Sequence, residues 1–451
     1  MSHAQKRPLN ILMILVDDLN TWIGAYNERH SAKTPHLDRL AASSAFYRRA
    51  YCSAPYCNAS RVGIFSGMRP STTGVYHDEP LLDDTFQTLP EEFRRAGYYT
   101  FCAGKVLHGV FNYEEEIQSG SGKAAWKNVS NRDNCWSERH DLSFEPLPDG
   151  RPHISLFGDT PRSNWPPIYR HFDWAAFDAD EAPDMRTSEQ TIDFLKRQHD
   201  APFFCCAGFY RPHLPWFAPS QYFDLYPLDE IILPVVKPDD LEDVPAQGVE
   251  FARWPFDHDR IVNAGQWRSA VRAYMACISY CDEMIGRVLT TLDQSAYRHN
   301  TVVVLVSDNG FHHGPKLHWS KFALWEEATR VPLMVRSPAT TPGAVDHPVS
   351  LLDIFPTLLE LTGKDLHAPL DGQSLPSPLL SNYTRRTPVI STWKSGNHSI
   401  RENSWRYTRY SDGGAELYDH RTDPYEWTNL IDNKDYDRVQ KHLELRLQTV
   451  S

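Results

Sequence analysis

Two adjacent carboxylates, Asp17 and Asp18, close the apolar run Asn10–Val16. Side by side at the end of a buried strand they repel each other unless a turn or a cation satisfies them. Alone, they read as a turn or a helix cap. A second apolar run, Thr301–Val306, ends in Ser307-Asp308-Asn309-Gly310, and this changes the reading. Four oxygen-bearing side chains meeting at strand ends suit a hard cation, Ca²⁺ or Mg²⁺, better than zinc.

The stretch Cys57-Asn58-Ala59-Ser60-Arg61, followed by Val-Gly-Ile-Phe-Ser66-Gly67, is the next place where chemistry can reside. A lone cysteine beside an arginine reads by default as a buried structural thiol. His108 lies three residues after Lys105, so both face one cavity if that segment is helical. His213 is held between Pro212 and Pro215 and has the pKa range for proton transfer. His77, His312, His313, Lys394 and His398 are candidates to line a substrate pocket, with Asp78, Trp136, His318, Trp319 and Asn397 behind them. Packing or surface roles suit each of these equally well.

These residues need a scaffold. Asn10–Val16, Pro202–Gly208 and Thr301–Val306 are short, continuous apolar runs, the pattern of strands buried on both faces of a parallel sheet. Helical stretches lie between them at Thr34–Ala45, Leu89–Ala96, Thr187–Gln198 and Arg268–Leu292, with another at Leu351–Leu361. The alternation predicts a large, mostly parallel α/β sheet sandwiched by helices. Ligands of such sheets sit beyond the carboxyl ends of the strands, where all three runs carry polar residues. The Pro-, Asn- and Trp-rich stretch from Phe111 to Asp184 reads as an irregular, substrate-facing wall. After the turn-rich Gly363–Pro378, short strands are expected at Val389–Trp393, Ser399–Ile400, Arg406–Tyr410 and Glu416–Tyr418, with a closing helix at Lys434–Thr449. We therefore expect a catalytic domain over 1–376 and a small C-terminal α+β subdomain over 377–451.

Composition narrows the function. Of 451 residues, 41% are hydrophobic and 12% aromatic, ample for a sizeable core. The net charge of -12 gives no electrostatic reason to bind nucleic acid or an anionic membrane. No run of about 20 apolar residues exists to span a bilayer. The polar N-terminus lacks an apolar signal region, so the chain as written reads as cytoplasmic, or as secreted or periplasmic if a leader was removed. The eight cysteines read as reduced, mostly buried thiols. Nothing in the sequence fixes an oligomeric state.

The segment from Cys57 resembles the sulfatase signature, Cys-x-(Pro or Ala)-x-Arg with a Thr/Ser-Gly pair after it. Val16-Asp17-Asp18, Thr34-Pro35-His36-Leu37-Asp38, Gly104-Lys105-Val106-Leu107-His108, Arg211-Pro212-His213, Ser307–Gly310, Lys321 and Ser350–Thr357 occur in the family's order. The likeness runs toward the iduronate-2-sulfatase branch through Gly-Lys-Val-x-His and Tyr-x-Pro-His. It implies an alkaline-phosphatase-like fold and a formylglycine-dependent hydrolase of sulfate esters, acting on a small molecule or a saccharide. Cys57 would be oxidised to Cα-formylglycine by a maturation enzyme, its hydrate being the nucleophile. The metal set would be Asp17, Asp18, Cys57, Asp308 and Asn309, with Ca²⁺ preferred over Mg²⁺ or Mn²⁺. Arg61, Lys105 and Lys321 would stabilise oxyanions, His108 would be the base releasing sulfate, and His213 would protonate the leaving alcohol or contact sulfate. The sequence departs from the pattern at Ala59, where Pro is commonest, and at Met68, where many relatives carry Arg. Pro315-Lys316 also replaces the Glu-His common in the iduronate branch.

Three rivals stand beside the sulfatase reading. One is a phosphonate monoester or phosphodiester hydrolase using the same site. A second is a non-catalytic binder of sulfated glycans. The third is an esterase using the Cys57 thiol itself with a histidine.

Overall fold

The computed structural model describes residues 8–28, 30–79, 86–111, 126–128, 135–140, 154–155, 173–176, 183–254, 256–338, 340–365, 369–378, 385 and 387–449. Most of the expected wall between Phe111 and Asp184 lies outside them.

The centre is an eight-stranded sheet built from β1 (Asn10–Val16), β2 (Ala45–Tyr47), β3 (Tyr99–Gly104), β4 (Glu138–His140), β5 (Phe203–Phe209), β6 (Thr301–Ser307), β7 (Leu333–Arg336) and β8 (Gly343–Val345). Its order is β8-β2-β7-β6-β1-β5-β3-β4. The run β6-β1-β5-β3-β4 is parallel, whereas β7 lies antiparallel to β6 and to β2. Side chains alternate across a strand, and β1 shows it. Leu12, Ile14 and Val16 enter one apolar cluster, while Ile11, Met13 and Leu15 enter another on the opposite face. The first cluster takes the inward sides of α1 (Pro35–Ala42), α3 (Pro183–Lys196) and α4 (Trp267–Gln294). The second takes α2 (Cys57–Ser66) and α5 (Ile354–Thr362). The sheet is thus covered on both faces, as the unbroken apolar runs require.

Helix ends shift from expectation for local reasons. α1 stops at Ala42 because the Ser43 and Ser44 hydroxyls donate to the Leu40 carbonyl, and Ala45 already pairs in the sheet. α3 begins four residues early, at Pro183, a residue suited to a helix start. The Leu351–Leu361 helix opens as a 3-10 turn over Leu351–Asp353, held by the Ser350–Asp353 capping box. All eight cysteines are buried free thiols.

The tail forms a four-stranded antiparallel sheet, β9 (Val389–Thr392), β10 (His398–Glu402), β11 (Trp405–Arg409) and β12 (Ala415–Asp419), closed by α6 (Asp437–Gln448). Ile390, Ile400, Tyr407, Leu417, Leu443 and Leu447 make its apolar core. Buried charge joins this sheet to the segment that follows Lys321. Arg406, fully buried, donates to the Leu324 carbonyl (2.6 Å) and to Glu326 Oε2 (2.5 Å), and its Nε lies 2.5 Å from Glu426 Oε1. Lys316 also belongs here: its Nζ donates to Asp240 Oδ1 (2.8 Å) and to the Glu426 carbonyl. The residue that departs from the iduronate-branch pattern therefore fastens the fold together.

Removing one partner of a buried ion pair strands the other charge, at a cost of about 3–5 kcal/mol. Arg406→Ala should lower the urea midpoint accordingly, and Arg406→Lys should recover part of the loss. An unchanged midpoint would show that Glu326 and Glu426 are satisfied without Arg406.

Candidate active site

The site forms because neighbouring parallel strands end level. Val16 pairs with Phe209 on one side and Ser307 on the other, and Gly208 pairs with Gly104. The ladder continues one step, with Asp17 N–H donating to the Phe209 carbonyl and Asp308 N–H to the Val16 carbonyl. Asp17, Asp18, Asp308 and Asn309 therefore emerge together and are all buried. Asp18 has the left-handed φ of 60°, and the Tyr274 hydroxyl donates to its carbonyl (2.8 Å). Such strain at a non-glycine residue persists where surrounding bonds over-determine it.

Cys57 is the first residue of α2, so it lies where the helix dipole favours negative charge. Its Sγ–H donates to Asp17 Oδ1 (3.1 Å), and Lys321 Nζ donates to that sulfur (2.7 Å) and to Asp18 Oδ1 (2.6 Å). Arg61, one turn along α2, faces the same way. Its Nε donates to Asp308 Oδ2 (2.7 Å), and its Nη2 lies 3.6 Å from Asp17 Oδ1. Lys105 Nζ donates to Asp17 Oδ2. Three buried carboxylates thus meet three cations, of which Arg61 and Lys321 are buried and Lys105 nearly so.

The segment carrying Lys105 and His108 is a bend and not a helix. Gly104, at a φ of +75°, turns the chain, and Lys105 N–H donates to the Gly208 carbonyl. His108 nevertheless faces the site: its Nε2 lies 3.7 Å from Asp78 Oδ1, and its side chain is 13% exposed. His213 binds the Leu214 carbonyl through Nδ1 (2.5 Å), which directs Nε2 toward Asp18 Oδ2 at 3.7 Å. Burial, then Lys105, hold the His108 pKa well below its ordinary value. Burial likewise keeps His213 neutral against the pull of Asp17.

Charge in this buried place is tightly coupled. Burial raises all three carboxylates, but the Lys105, Arg61 and Lys321 charges outweigh it at Asp17 and hold that group well below the carboxylate range. Asp18 remains raised, and Asp308 is pushed up to about 7 against the pull of Arg61. Burial and the Asp17 charge drive the Cys57 thiol well above its usual range. The thiol is therefore a poor nucleophile as it stands.

The residues fit a hard divalent cation. Asp17, Asp18, Cys57 and His213 offer atoms within 4.8 Å of one another. Asn309 donates through Nδ2 to Asp18 Oδ1 (2.7 Å), while its buried Oδ1 has no hydrogen-bond partner. An unsatisfied amide oxygen beside three carboxylates is the donor chemistry of such an ion.

Some expected pocket residues lie elsewhere. His313 is fully buried among Trp22, Trp216 and Tyr274, a core position rather than a substrate contact. His312, held through Nδ1 by the Pro315 carbonyl, borders a separate cavity of about 440 Å³ with Trp22, Glu28 and Trp325. His398 is buried in the tail sheet, bonded to Thr392 Oγ1 (3.0 Å). His318 lies between the Ala252 and Lys321 carbonyls, orienting the lysine loop from behind. Trp319 and Asn397 are buried too, and Trp136 packs near Phe204.

His77 does reach the site's surroundings. It stacks on Tyr56 at 4.1 Å and pairs with Asp78 (2.9 Å), which accepts from the Tyr56 hydroxyl (2.5 Å). Those bonds outweigh burial and take Asp78 down to about 2. Tyr56, Phe322 and Tyr210 were not anticipated from sequence. The first two stand beside Cys57 and Lys321 in the chain, and Lys105 Nζ lies 5.0 Å above the Tyr210 ring. Adjacency was the only readable signal for Tyr56 and Phe322, whereas Tyr210 opens the Tyr-x-Pro-His motif.

Solved structures share this architecture over nearly the whole chain. A phosphonate monoester hydrolase of Agrobacterium radiobacter matches with a TM-score of 0.79 at 20% identity, covering 98% of this chain and 95% of that one. A 2-O GAG sulfatase matches at 0.72 and 22% identity, covering 98% and 92%. These likenesses show the fold, the alkaline-phosphatase-like arrangement of a large mixed sheet with a small antiparallel tail sheet. The family model described as Sulfatase matches residues 9–364, and one described as N-sulphoglucosamine sulphohydrolase, C-terminal, matches 314–451. A sulfatase of Formosa agariphila is 36% identical over 439 residues, covering 94% of this chain and 83% of its own. An iduronate 2-sulfatase of Mus musculus is 30% identical over 361 residues, covering 74% and 60%. The chain belongs to the sulfatase family.

Close packing at the strand ends makes a further prediction. A Cβ on Gly208 would lie 2.0 Å from the Lys105 carbonyl oxygen. Gly208→Ala should therefore push Lys105 out of place, lowering kcat by roughly 100-fold while destabilising the fold by only about 1–3 kcal/mol. Full activity in this variant would mean that the Lys105 bend yields without cost.

Proposed function

We propose that this sulfuric ester hydrolase works through a Cα-formylglycine made from Cys57 by a maturation enzyme, with Ca²⁺ held by Asp17, Asp18, Asp308 and Asn309. The observation that carries the reading is the placement of position 57. It sits at a helix N-terminus, 3.1 Å from Asp17 and 2.7 Å from Lys321, beside an oxygen-rich donor set. Bound there, a divalent cation would polarise the sulfate oxygens and lower the pKa of the attacking hydroxyl.

The chain's own residues do the rest. Lys321 and Lys105 flank position 57 and offer positive charge to a sulfate group as its S–O bond breaks. Arg61 holds Asp308 and stands close to Asp17, fixing where those carboxylates point. His108, neutral through burial, can take the proton whose loss expels sulfate from position 57. His213 directs Nε2 into the site from the opposite loop, placed to hydrogen-bond the leaving oxygen. A second geminal hydroxyl is what an aldehyde hydrate adds over serine, since it allows sulfate to leave by elimination instead of slow hydrolysis.

The thiol esterase reading is disfavoured by the same geometry, because burial and Asp17 keep Cys57 protonated. The phosphonate reading shares the in-line chemistry, and the likeness to a phosphonate monoester hydrolase is one of fold.

Mass spectrometry of the peptide carrying position 57 should show the loss expected when CH2–SH becomes an aldehyde. Cys57→Ala should lose turnover altogether, and chelation should abolish activity that added Ca²⁺ restores. An active enzyme with an intact thiol would sink the formylglycine reading. A side-by-side comparison should show kcat/KM higher for an aryl sulfate than for the matching aryl phosphonate; the reverse order would favour the phosphonate hydrolase.

A further inference from the structure

The reactive centre continues outward as a wall of aromatic rings. Tyr56, next to Cys57, stacks on His77 at 4.1 Å and lies 5.8 Å from Phe322 and 5.9 Å from Trp393. Phe322, next to Lys321, lies 5.3 Å from Trp393 and 4.6 Å from Trp254. The wall thus starts at the residues that flank position 57 and ends at Trp254, which is 39% exposed. Packing alone does not explain it. Phe322 and Lys394 both hold left-handed backbone, at φ of 56° and 55°, the kind of strain retained where geometry serves a site. The buried Trp393 Nε1 has no hydrogen-bond partner, a donor awaiting an acceptor.

Lys394 decides what the wall can hold. Its side chain is exposed, and Nζ stands 5.4 Å from the Phe251 ring, 5.8 Å from Trp393 and 5.9 Å from Trp254. Bare aromatic faces would suit a quaternary ammonium, but here a cation already stands over them and would repel another. A ring can still lie against Phe322 and Trp254, and an anion on that ring would meet Lys394. Asp78, at the far end beside His108, repels the same anion and so fixes which way the ring points.

We propose that Trp254, Phe322, Trp393 and Lys394 form the leaving-group subsite, selecting a ring that carries a second anionic group, carboxylate or sulfate. This rests on the sulfatase reading. The subsite binds the sugar or aryl ring, and the carboxylate or second sulfate is the shared feature that Lys394 recognises.

The test measures kcat and KM for matched pairs: 4-carboxyphenyl sulfate against phenyl sulfate, and glucuronate 2-sulfate against glucose 2-sulfate, with choline sulfate as the cationic case. Dissociation constants of the same compounds on C57A protein read the subsite without turnover. Wild-type enzyme should favour the anionic member of at least one pair by roughly tenfold, mainly through KM, and reject choline sulfate. Which pair shows the preference separates an aryl from a sugar ring. Lys394→Asn, which keeps a residue tolerant of left-handed backbone, should bring the ratio near one. Lys394→Glu should invert it and improve choline sulfate, and Trp254→Ala should raise KM for every ring substrate. Equal handling of both members of each pair by wild type, or ratios unmoved in both Lys394 variants, would overturn the subsite. Turnover of an aryl phosphonate with none of any sulfate ester would instead overturn the sulfatase reading, while the C57A dissociation constants would still judge the subsite.

Discussion

Three carboxylates buried at the ends of two adjacent strands cannot remain charged without positive charge close by. Asp17, Asp18 and Asp308 lie away from water within hydrogen-bonding reach of one another's neighbours, and desolvation works against every one. Arg61, Lys105 and Lys321 answer that constraint from three separate segments. Each must be delivered to within a few ångströms by its own piece of scaffold. A helix delivers Arg61, a glycine bend Lys105, and a loop braced by His318 delivers Lys321. The position of Cys57 follows, since it lies on the same helix as Arg61 and one turn ahead of it.

The tail sheet takes part in this arrangement. Ser391 Oγ donates to the Cys52 carbonyl and Thr392 N–H to the Ser53 carbonyl, just ahead of α2, which opens with Cys57. Arg406 and Glu426 grip Leu324 and Glu326, just after Lys321. Segments far apart in the chain therefore clamp both sides of position 57. They also bring Trp393 and Lys394 to the rim, so the tail carries recognition as well as stability.

Much of the site was legible because strand periodicity is simple. Unbroken apolar runs ending in Asp-Asp, Asp-Asn and Arg-Pro-His announced buried parallel strands with polar carboxyl ends, and the register bears this out. Local chemistry was less visible. The segment of Lys105 and His108 has helical spacing, yet its backbone bonds run to Gly208 across the sheet. His312 and His313 looked like pocket residues because histidines beside Asp308-Asn309 carry suggestive chemistry. The chain direction after Gly310 takes them into the aromatic core and a separate cavity instead.

Residue types and their order sufficed to determine the strand ends and the oxygen-rich set of side chains at them, because these follow from periodicity and from spacing within short segments; Cys57 stood out only through its resemblance to the sulfatase signature. Which histidines face the reacting centre, how Lys316 is used, and how Trp254, Phe322, Trp393 and Lys394 meet were decided only by tertiary structure. Those contacts join elements far apart in the chain. Their distances depend on the register of the large sheet and on the buried ion pairs that fix the tail against it, and no local pattern encodes either.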